Sequence, residues 1–258
     1  MIIVYMNYVF VLYHELYPHK IQRLPTFSLF LNIYQTMPIV IQDNLEYIKN
    51  VPSDSVDLIY FNPPYGTTEN EWDTSLDWEN LFPEMERVIK TNGNIVIHCS
   101  IPFTYDLIRI RKPKYHWVWD KVHTGSPFLA KKQPMRNTEE ILVYHKGGRG
   151  GIGRYFPQMI GDKERVIKAP GKSSYYGDRT KSSYSNVVKG KYPKHLISYH
   201  RKVDGFSTRP AELVEFIVKS YTREGDTVLD LTCYKGLTGK VCEKIGRVYT
   251  GVDIRDWC

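Results

Sequence analysis

The sequence predicts an α/β fold: a doubly wound mixed sheet that carries one basic insert. Three observations predict it. Short apolar runs alternate with amphipathic stretches over short links, as in a sheet covered by helices on both faces. A glycine-containing turn, Asp230 to Gly239, follows a strand and opens a helix, and the next strand ends on an acid, Asp253. The excess positive charge of the chain is concentrated in one segment rather than spread along it. At 258 residues the chain can build one sizeable core with an appended subregion.

The elements follow in order. Met1 to Tyr13 is apolar and aromatic, shorter than the roughly 17–25 residues that span a bilayer. It has no basic start and no small-residue cleavage site, so neither a membrane anchor nor a signal peptide is expected. Residues 1–36 read as an extension outside the main fold. Strands are expected at 38–42, 56–61, 94–99, 115–120, 140–145, 227–231 and 248–252, and helices at 43–50, 78–91, 102–111, 210–222 and 237–245. Asp77 and Glu79 start the second helix with acids near its positive end, and Thr91-Asn92-Gly93 ends it. The four cysteines, Cys99, Cys233, Cys242 and Cys258, show neither pairing nor ligand spacing with histidine. The cytoplasm or another reducing compartment is therefore expected, with no disulfide framework and no metal site.

Charge sorts the chain further. From Lys146 to Lys202 there are 14 Lys/Arg against 3 Asp/Glu, while the remainder carries 21 against 25. The same segment holds Tyr155, Phe156, Tyr175, Tyr176, Tyr184, Tyr192 and Tyr199. Basic residues interleaved with aromatics suit a surface that grips a phosphate backbone and reads bases. The bland alternative is a solvated loop with little periodicity between Gly147 and Lys189.

The most informative residues are Asn62-Pro63-Pro64-Tyr65. They follow the apolar strand 56–61, so they sit at a carboxyl end, where open α/β sheets place their chemistry. Two prolines fix an extended turn and cannot continue a ladder. The turn presents two acceptors, the Asn62 side-chain oxygen and the Pro63 carbonyl, beside the aromatic face of Tyr65. That set suits a planar ring with an exocyclic NH2, whose lone pair becomes more nucleophilic when both hydrogens are donated.

The order of motifs resembles the β class of DNA amino-methyltransferases, a circularly permuted arrangement. The resemblance runs from about Pro38 to Ile254. Ile39 to Asn44 is similar to the family's opening strand, Trp117 to Lys121 and Phe128 to Tyr144 to its hairpin beside the target base, and Lys191-Tyr192-Pro193 and Phe206 to Pro210 to its approach to the cofactor. The resemblance implies a Rossmann-like methyltransferase fold with a catalytic half at 37–146, a target-recognition insert at 147–202 and a cofactor half at 203–258. It implies S-adenosylmethionine as cofactor, with Asp43 at its adenine and Phe206, Ser207, Thr208, Arg209, Asp230, Thr232, Cys233, Tyr234, Gly236 and Asp253 around it. Asn62, Pro63, Pro64 and Tyr65 become the catalytic residues, and Lys131, Lys132, Arg136 and Lys191 the contacts to double-stranded DNA.

Asn before Pro-Pro points by analogy to adenine N6; the resemblance implies a modification role in a restriction-modification system, with a cognate endonuclease and a homodimer as further expectations. Cytosine N4, structured RNA, a protein amide and a silent nucleic-acid binder are the alternatives. The sequence departs from the family's cofactor loop, Asp-Pro-Phe-X-Gly-Ser-Gly. Leu231, Thr232, Tyr234 and Lys235 replace the Pro, the Phe, the first Gly and the Ser. A side chain at Tyr234 opposes the positive φ that glycine adopts freely.

Overall fold

A computed structural model describes residues 38–123, 130–146, 153–168, 185–203 and 207–257. The contact pattern divides the chain between Met37 and Pro38, and everything below belongs to the second unit.

The elements in chain order are β1 (Ile39–Ile41), α1 (Asn44–Lys49), β2 (Val56–Phe61), α2 (Trp78–Val88), β3 (Ile89–Cys99), α3 (Phe103–Ile110), β4 (Tyr115–Asp120) and β5 (Thr138–Tyr144). Then come β6 (Ile160–Lys168), β7 (Ser185–Lys191), β8 (Leu196–Ser198), β9 (Lys202–Val203), β10 (Ser207–Thr208), α4 (Ala211–Tyr221), β11 (Thr227–Asp230), α5 (Leu237–Lys244) and β12 (Val248–Asp253). The main sheet has the order β1-β12-β11-β2-β3-β5-β4-β8. Its first five strands pair parallel, and β5 runs antiparallel to both β3 and β4. This is the mixed α/β sheet that the sequence predicts.

The central strands are buried on both faces, so they read as continuous apolar runs. All six residues of β2 are buried. On α2, Trp78, Leu81, Phe82, Met85 and Val88 fall on one stripe and are buried, with Trp78 packed against Phe61, Phe82 and Phe103. On α4, Leu213, Val214, Ile217, Val218 and Tyr221 do the same. Strand β2 lies beside β11, from which it is separated by most of the chain. The carboxyl ends of these two strands, Phe61 and Asp230, therefore open on one crevice, where side loops can form a site.

Two departures from the predicted elements have local causes. Helix α2 stops at Val88, not at residue 91, because Ile89 is extended (φ −69°, ψ 138°) and pairs with Val56. The ladder then slips between Val56 and Leu58. Gly93 is needed there, since a Cβ would meet Asp57 O and Ile89 Cγ1 at 2.8 Å. The basic segment also contains more structure than its composition suggests. Strands β6 and β7 form a separate antiparallel ribbon with Val166 opposite Val187, both exposed. Strand β8 joins the main sheet beside β4. Arg154, at the start of the segment, is held under the sheet by Asp57 and Asp226.

Candidate active site

The turn after β2 is built around one carboxylate. Asp73 accepts from the backbone N–H groups of Tyr65 (2.7 Å), Gly66 (2.8 Å), Thr67 (2.9 Å) and Thr68 (2.7 Å), and from the Thr68 hydroxyl (2.8 Å). Burial alone would raise its pKa, but the Thr68 hydroxyl and the backbone amides outweigh burial and hold it below the usual carboxylate range. Four successive amides pointing at one anion fix the turn without any regular ladder. Asn62 opens this turn. Its backbone carbonyl accepts from the Thr232 hydroxyl at 2.9 Å, while its side-chain Oδ1 is buried with no protein donor. Pro63 is buried and Pro64 half-buried beside it.

Tyr65 is fixed on three sides. One ring face stacks on Phe103 (centroids 5.2 Å, 22°), and its backbone N–H is bound by Asp73. Its phenol oxygen accepts from Arg209 Nη2 at 2.5 Å. Arg209 Nη2 also donates to Glu139 Oε2 at 2.8 Å, and Lys121 Nζ binds Glu139 Oε1 at 2.8 Å. All three charged side chains are nearly buried: Lys121 14%, Glu139 9% and Arg209 11% exposed. Burial opposes the Glu139 charge, yet Arg209 and Lys121 overcome it and keep the carboxyl below its ordinary range. Burial pushes the Tyr65 phenol well above its usual value, so it stays protonated.

The other wall of the crevice is the turn after β11. Cys233 N–H donates to Val252 O (2.9 Å), Tyr234 N–H to Asp253 Oδ2 (2.8 Å) and Gly236 N–H to Cys233 O (2.9 Å). Asp253 Oδ1 also accepts from Arg255 N and Trp257 Nε1. Gly236 is left-handed (φ 69°), and so is Tyr234 (φ 49°), whose ring packs edge-on against Trp257. The structure thus imposes on a tyrosine the backbone that glycine takes without cost. Asp230 is buried, and burial pushes its pKa up to about 7 against the bonds from Thr238 and Thr232 N–H. Asp43 caps α1, accepting from Leu45 N and Glu46 N through Oδ1 alone.

The residues from 56 to 257 match a family model described as DNA methylase. The chain belongs to this family of DNA methylases. It is 27% identical over 230 residues to the type II methyltransferase M.BamHI of Bacillus amyloliquefaciens, covering 82% of this chain and 53% of that protein. It is 27% identical over 236 residues to the DNA adenine methyltransferase YhdJ of Escherichia coli, covering 84% and 78%. The chain therefore spans about half of the first relative and more than three quarters of the second. Among solved structures, the cytosine-N4-specific PvuII DNA methyltransferase superposes with a TM-score of 0.60 at 13% identity, covering 84% of this chain and 81% of that one. A complex of M1.HpyAVI with SAM superposes at 0.55 with 18% identity, covering 86% and 95%. Both have the same fold as this methylase.

Within the methylase fold, the structure gathers Asn62, Pro63, Pro64, Tyr65, Asp230, Thr232, Cys233, Tyr234, Gly236 and Asp253 at the carboxyl ends of β2, β11 and β12, and Arg209, between β10 and α4, reaches Tyr65 with its side chain. Asp43 lies just beyond β1, the neighbour of β12. Phe206 lies outside the described residues, and Ser207 and Thr208 are described as backbone strand β10. Of the predicted DNA contacts, Lys131 and Lys132 are exposed in a turn, Lys191 is exposed at the end of β7, and Arg136 donates to Ile101 O. The sequence reading missed Asp73, Lys121 as an ion-pair partner, and Glu139. Only Asp73 left a signal, an acid placed a few residues after a Gly-Thr-Thr turn.

The residues present fit a cofactor that carries positive charge and amino hydrogens. Asp230 is a buried carboxyl whose pKa is raised by burial and, to a smaller extent, by the nearby charge of Asp253. Asp43 keeps one carboxylate oxygen outside its capping bonds.

Proposed function

We propose that this chain transfers a methyl group to the exocyclic N6 of an adenine flipped out of duplex DNA. The observation that carries the reading is Asn62 Oδ1. It is a buried acceptor with no protein donor, at the mouth of the β2–β11 crevice and in the same turn as Tyr65. A buried acceptor left unmade costs about 1–3 kcal/mol, so it is retained where a ligand completes it. An exocyclic NH2 donates to Asn62 Oδ1 and to the Pro63 carbonyl, and its ring stacks on the face of Tyr65 opposite Phe103. Unstacking the base costs a few kcal/mol, which contacts of the basic segment to the phosphate backbone offset.

S-adenosylmethionine, when bound, supplies a methyl carbon on a positively charged sulfur. Asp43, Asp230, Asp253 and the turn from Thr232 to Gly236 would hold it. The protein's own contribution is positioning and electrostatics. Thr232 bonds the Asn62 carbonyl, and so ties the turn that holds the base to the turn that would hold the cofactor.

Adenine is favoured by Asn before Pro-Pro and by the relative named as an adenine methyltransferase. A role as the modification activity of a restriction-modification system follows from the type II names of M.BamHI and the methyltransferase M2.DpnII of Streptococcus pneumoniae. A cognate endonuclease and a homodimer belong to the same proposal. Among the described residues, no helix is long and apolar enough to cross a membrane.

The test is to incubate the protein with unmethylated genomic DNA and tritiated S-adenosylmethionine, then digest the DNA to nucleosides. Label in N6-methyladenine is expected. Label in N4-methylcytosine overturns the choice of base, and absence of label from every nucleoside overturns the reading.

A further inference from the structure

We infer that Arg209, held in place by Glu139, is a positioning residue for the ring of Tyr65 rather than a contact to the cofactor. The inference rests on the proposed function above, in which Tyr65 stacks the target base. A single nitrogen, Nη2, makes both bonds: 2.5 Å to the Tyr65 hydroxyl and 2.8 Å to Glu139 Oε2. A guanidinium nitrogen carries two hydrogens, so both bonds are made and neither is shared. Its Cζ lies 5.9 Å from the ring centroid of Tyr65 and 6.0 Å from that of Trp119, so two aromatic rings flank the cation. Glu139 is itself fixed at its other oxygen by Lys121. The chain of contacts from Lys121 through Glu139 and Arg209 to Tyr65 is therefore continuous.

The geometry suits a ring whose angle matters. Phe103 supports one face, and the backbone of Tyr65 is bound by Asp73. Without the Arg209 bond, the ring is still supported, but its hydroxyl keeps only a long 3.5 Å bond to Glu139 Oε2. The donor is also the right residue type. A lysine would have to carry its ammonium to the same point on a flexible stem, whereas the planar guanidinium, flanked by two rings, holds Nη2 between its two acceptors at a fixed angle. The position Arg209 occupies, just before Pro210 and α4, anchors the fork on a rigid element.

Three variants test this: Tyr65→Phe, Arg209→Lys and the double variant, assayed with genomic DNA and labelled S-adenosylmethionine. A misplaced stacking ring is expected to lower kcat by roughly ten- to a hundred-fold. Tyr65→Phe and Arg209→Lys should each lower kcat to a similar extent, leave KM for the cofactor within a few fold, and show no further loss when combined. A rise in the cofactor KM of Arg209→Lys with kcat retained overturns the inference, as do fully additive losses. If Arg209→Lys does not fold, Tyr65→Phe decides alone, because it leaves the ion pair untouched. A fall in kcat with both KM values kept supports the inference, and an unchanged kcat overturns it. A wild type that labels no DNA contradicts the functional reading instead. The contact is then judged by thermal unfolding of the same three variants, where equal, non-additive losses of Tm support it and additive ones overturn it.

Discussion

The two turns that meet at the β2–β11 crevice are held in opposite ways. The turn from Asn62 to Thr68 is over-determined: Asp73 takes four amides and a hydroxyl, and Tyr65 is stacked by Phe103 and bonded by Arg209. The turn from Leu231 to Gly236 carries costs instead. It contains a tyrosine at φ 49° and ends a strand on a buried carboxylate, Asp230, raised to about 7. Left-handed backbone costs a residue with a side chain about 1–2 kcal/mol. One wall of the site is thus finished by the protein, apart from Asn62 Oδ1, which is left for the target base. The other is arranged so that a cationic ligand relieves an electrostatic cost.

The largest expected effects break the finished wall. Asn62→Ala removes the buried acceptor and Tyr65→Ala removes the stacking ring. Each should lower methyl transfer by roughly 10²–10³-fold or more, while DNA affinity by fluorescence polarisation stays within a few fold. Retained turnover in both variants contradicts the assignment.

The next effect probes the costly wall through pH. The folded pKa of Asp230 lies above the unfolded carboxylate value, so the folded state binds this proton more tightly than the unfolded chain does. The stability it confers is complete below about pH 4 and is lost as pH rises to about 7. The loss amounts to as much as about 4 kcal/mol for a fully buried group. Urea unfolding of the cofactor-free protein should show this decline, and Asp230→Asn should remove it. A variant that keeps the same slope places the titration elsewhere.

Asp73→Ala should cost about 2–3 kcal/mol, because four turn amides and a hydroxyl lose one shared acceptor and solvent replaces only part of it. The urea midpoint measures this, and an unchanged midpoint shows that the carboxylate does not organise the turn. The smallest effect is expected at Tyr234. Tyr234→Gly relieves the left-handed strain but loses the ring contact to Trp257 and adds freedom to the unfolded chain, each about 1 kcal/mol. The terms oppose one another, so Tm should shift by no more than a few degrees. A fall of ten degrees or more means that the ring, not the backbone, holds this turn.

The same comparison explains what could be read from the sequence. Strands β2, β11 and β12 announce themselves as apolar runs ending on Asn62, Asp230 and Asp253, and the glycine of the second turn marks the start of α5. The helix that starts at Trp78 was legible from its acidic first turn, though not its end at Val88, and the buried stripe of α4 follows from its periodicity. The contacts that fix Tyr65 were not legible. Glu139 and Lys121 lie on and beside the β4–β5 pair, and Arg209 lies about 70 positions beyond Glu139. Only the fold brings the three charges together, and an ion pair between such distant residues leaves no local pattern. The β6–β7 ribbon was hidden by the glycine, serine and lysine around its short β-branched runs. Tyr234 was visible as a departure from glycine, but the left-handed backbone it keeps is a property of the turn after β11, which is pinned to β12 by Cys233 N–H on Val252 O and by Tyr234's own N–H on Asp253 Oδ2.

The central claim is that the Asn62 turn is complete before the cofactor binds and the Asp230 turn is completed by it. Amide hydrogen exchange with and without S-adenosylmethionine tests this directly. Tyr65, Gly66, Thr67 and Thr68 should be protected in both states, while Thr232 to Gly236 should gain protection on binding. Cofactor-dependent protection of Tyr65 to Thr68, with Thr232 to Gly236 unchanged, would contradict the account.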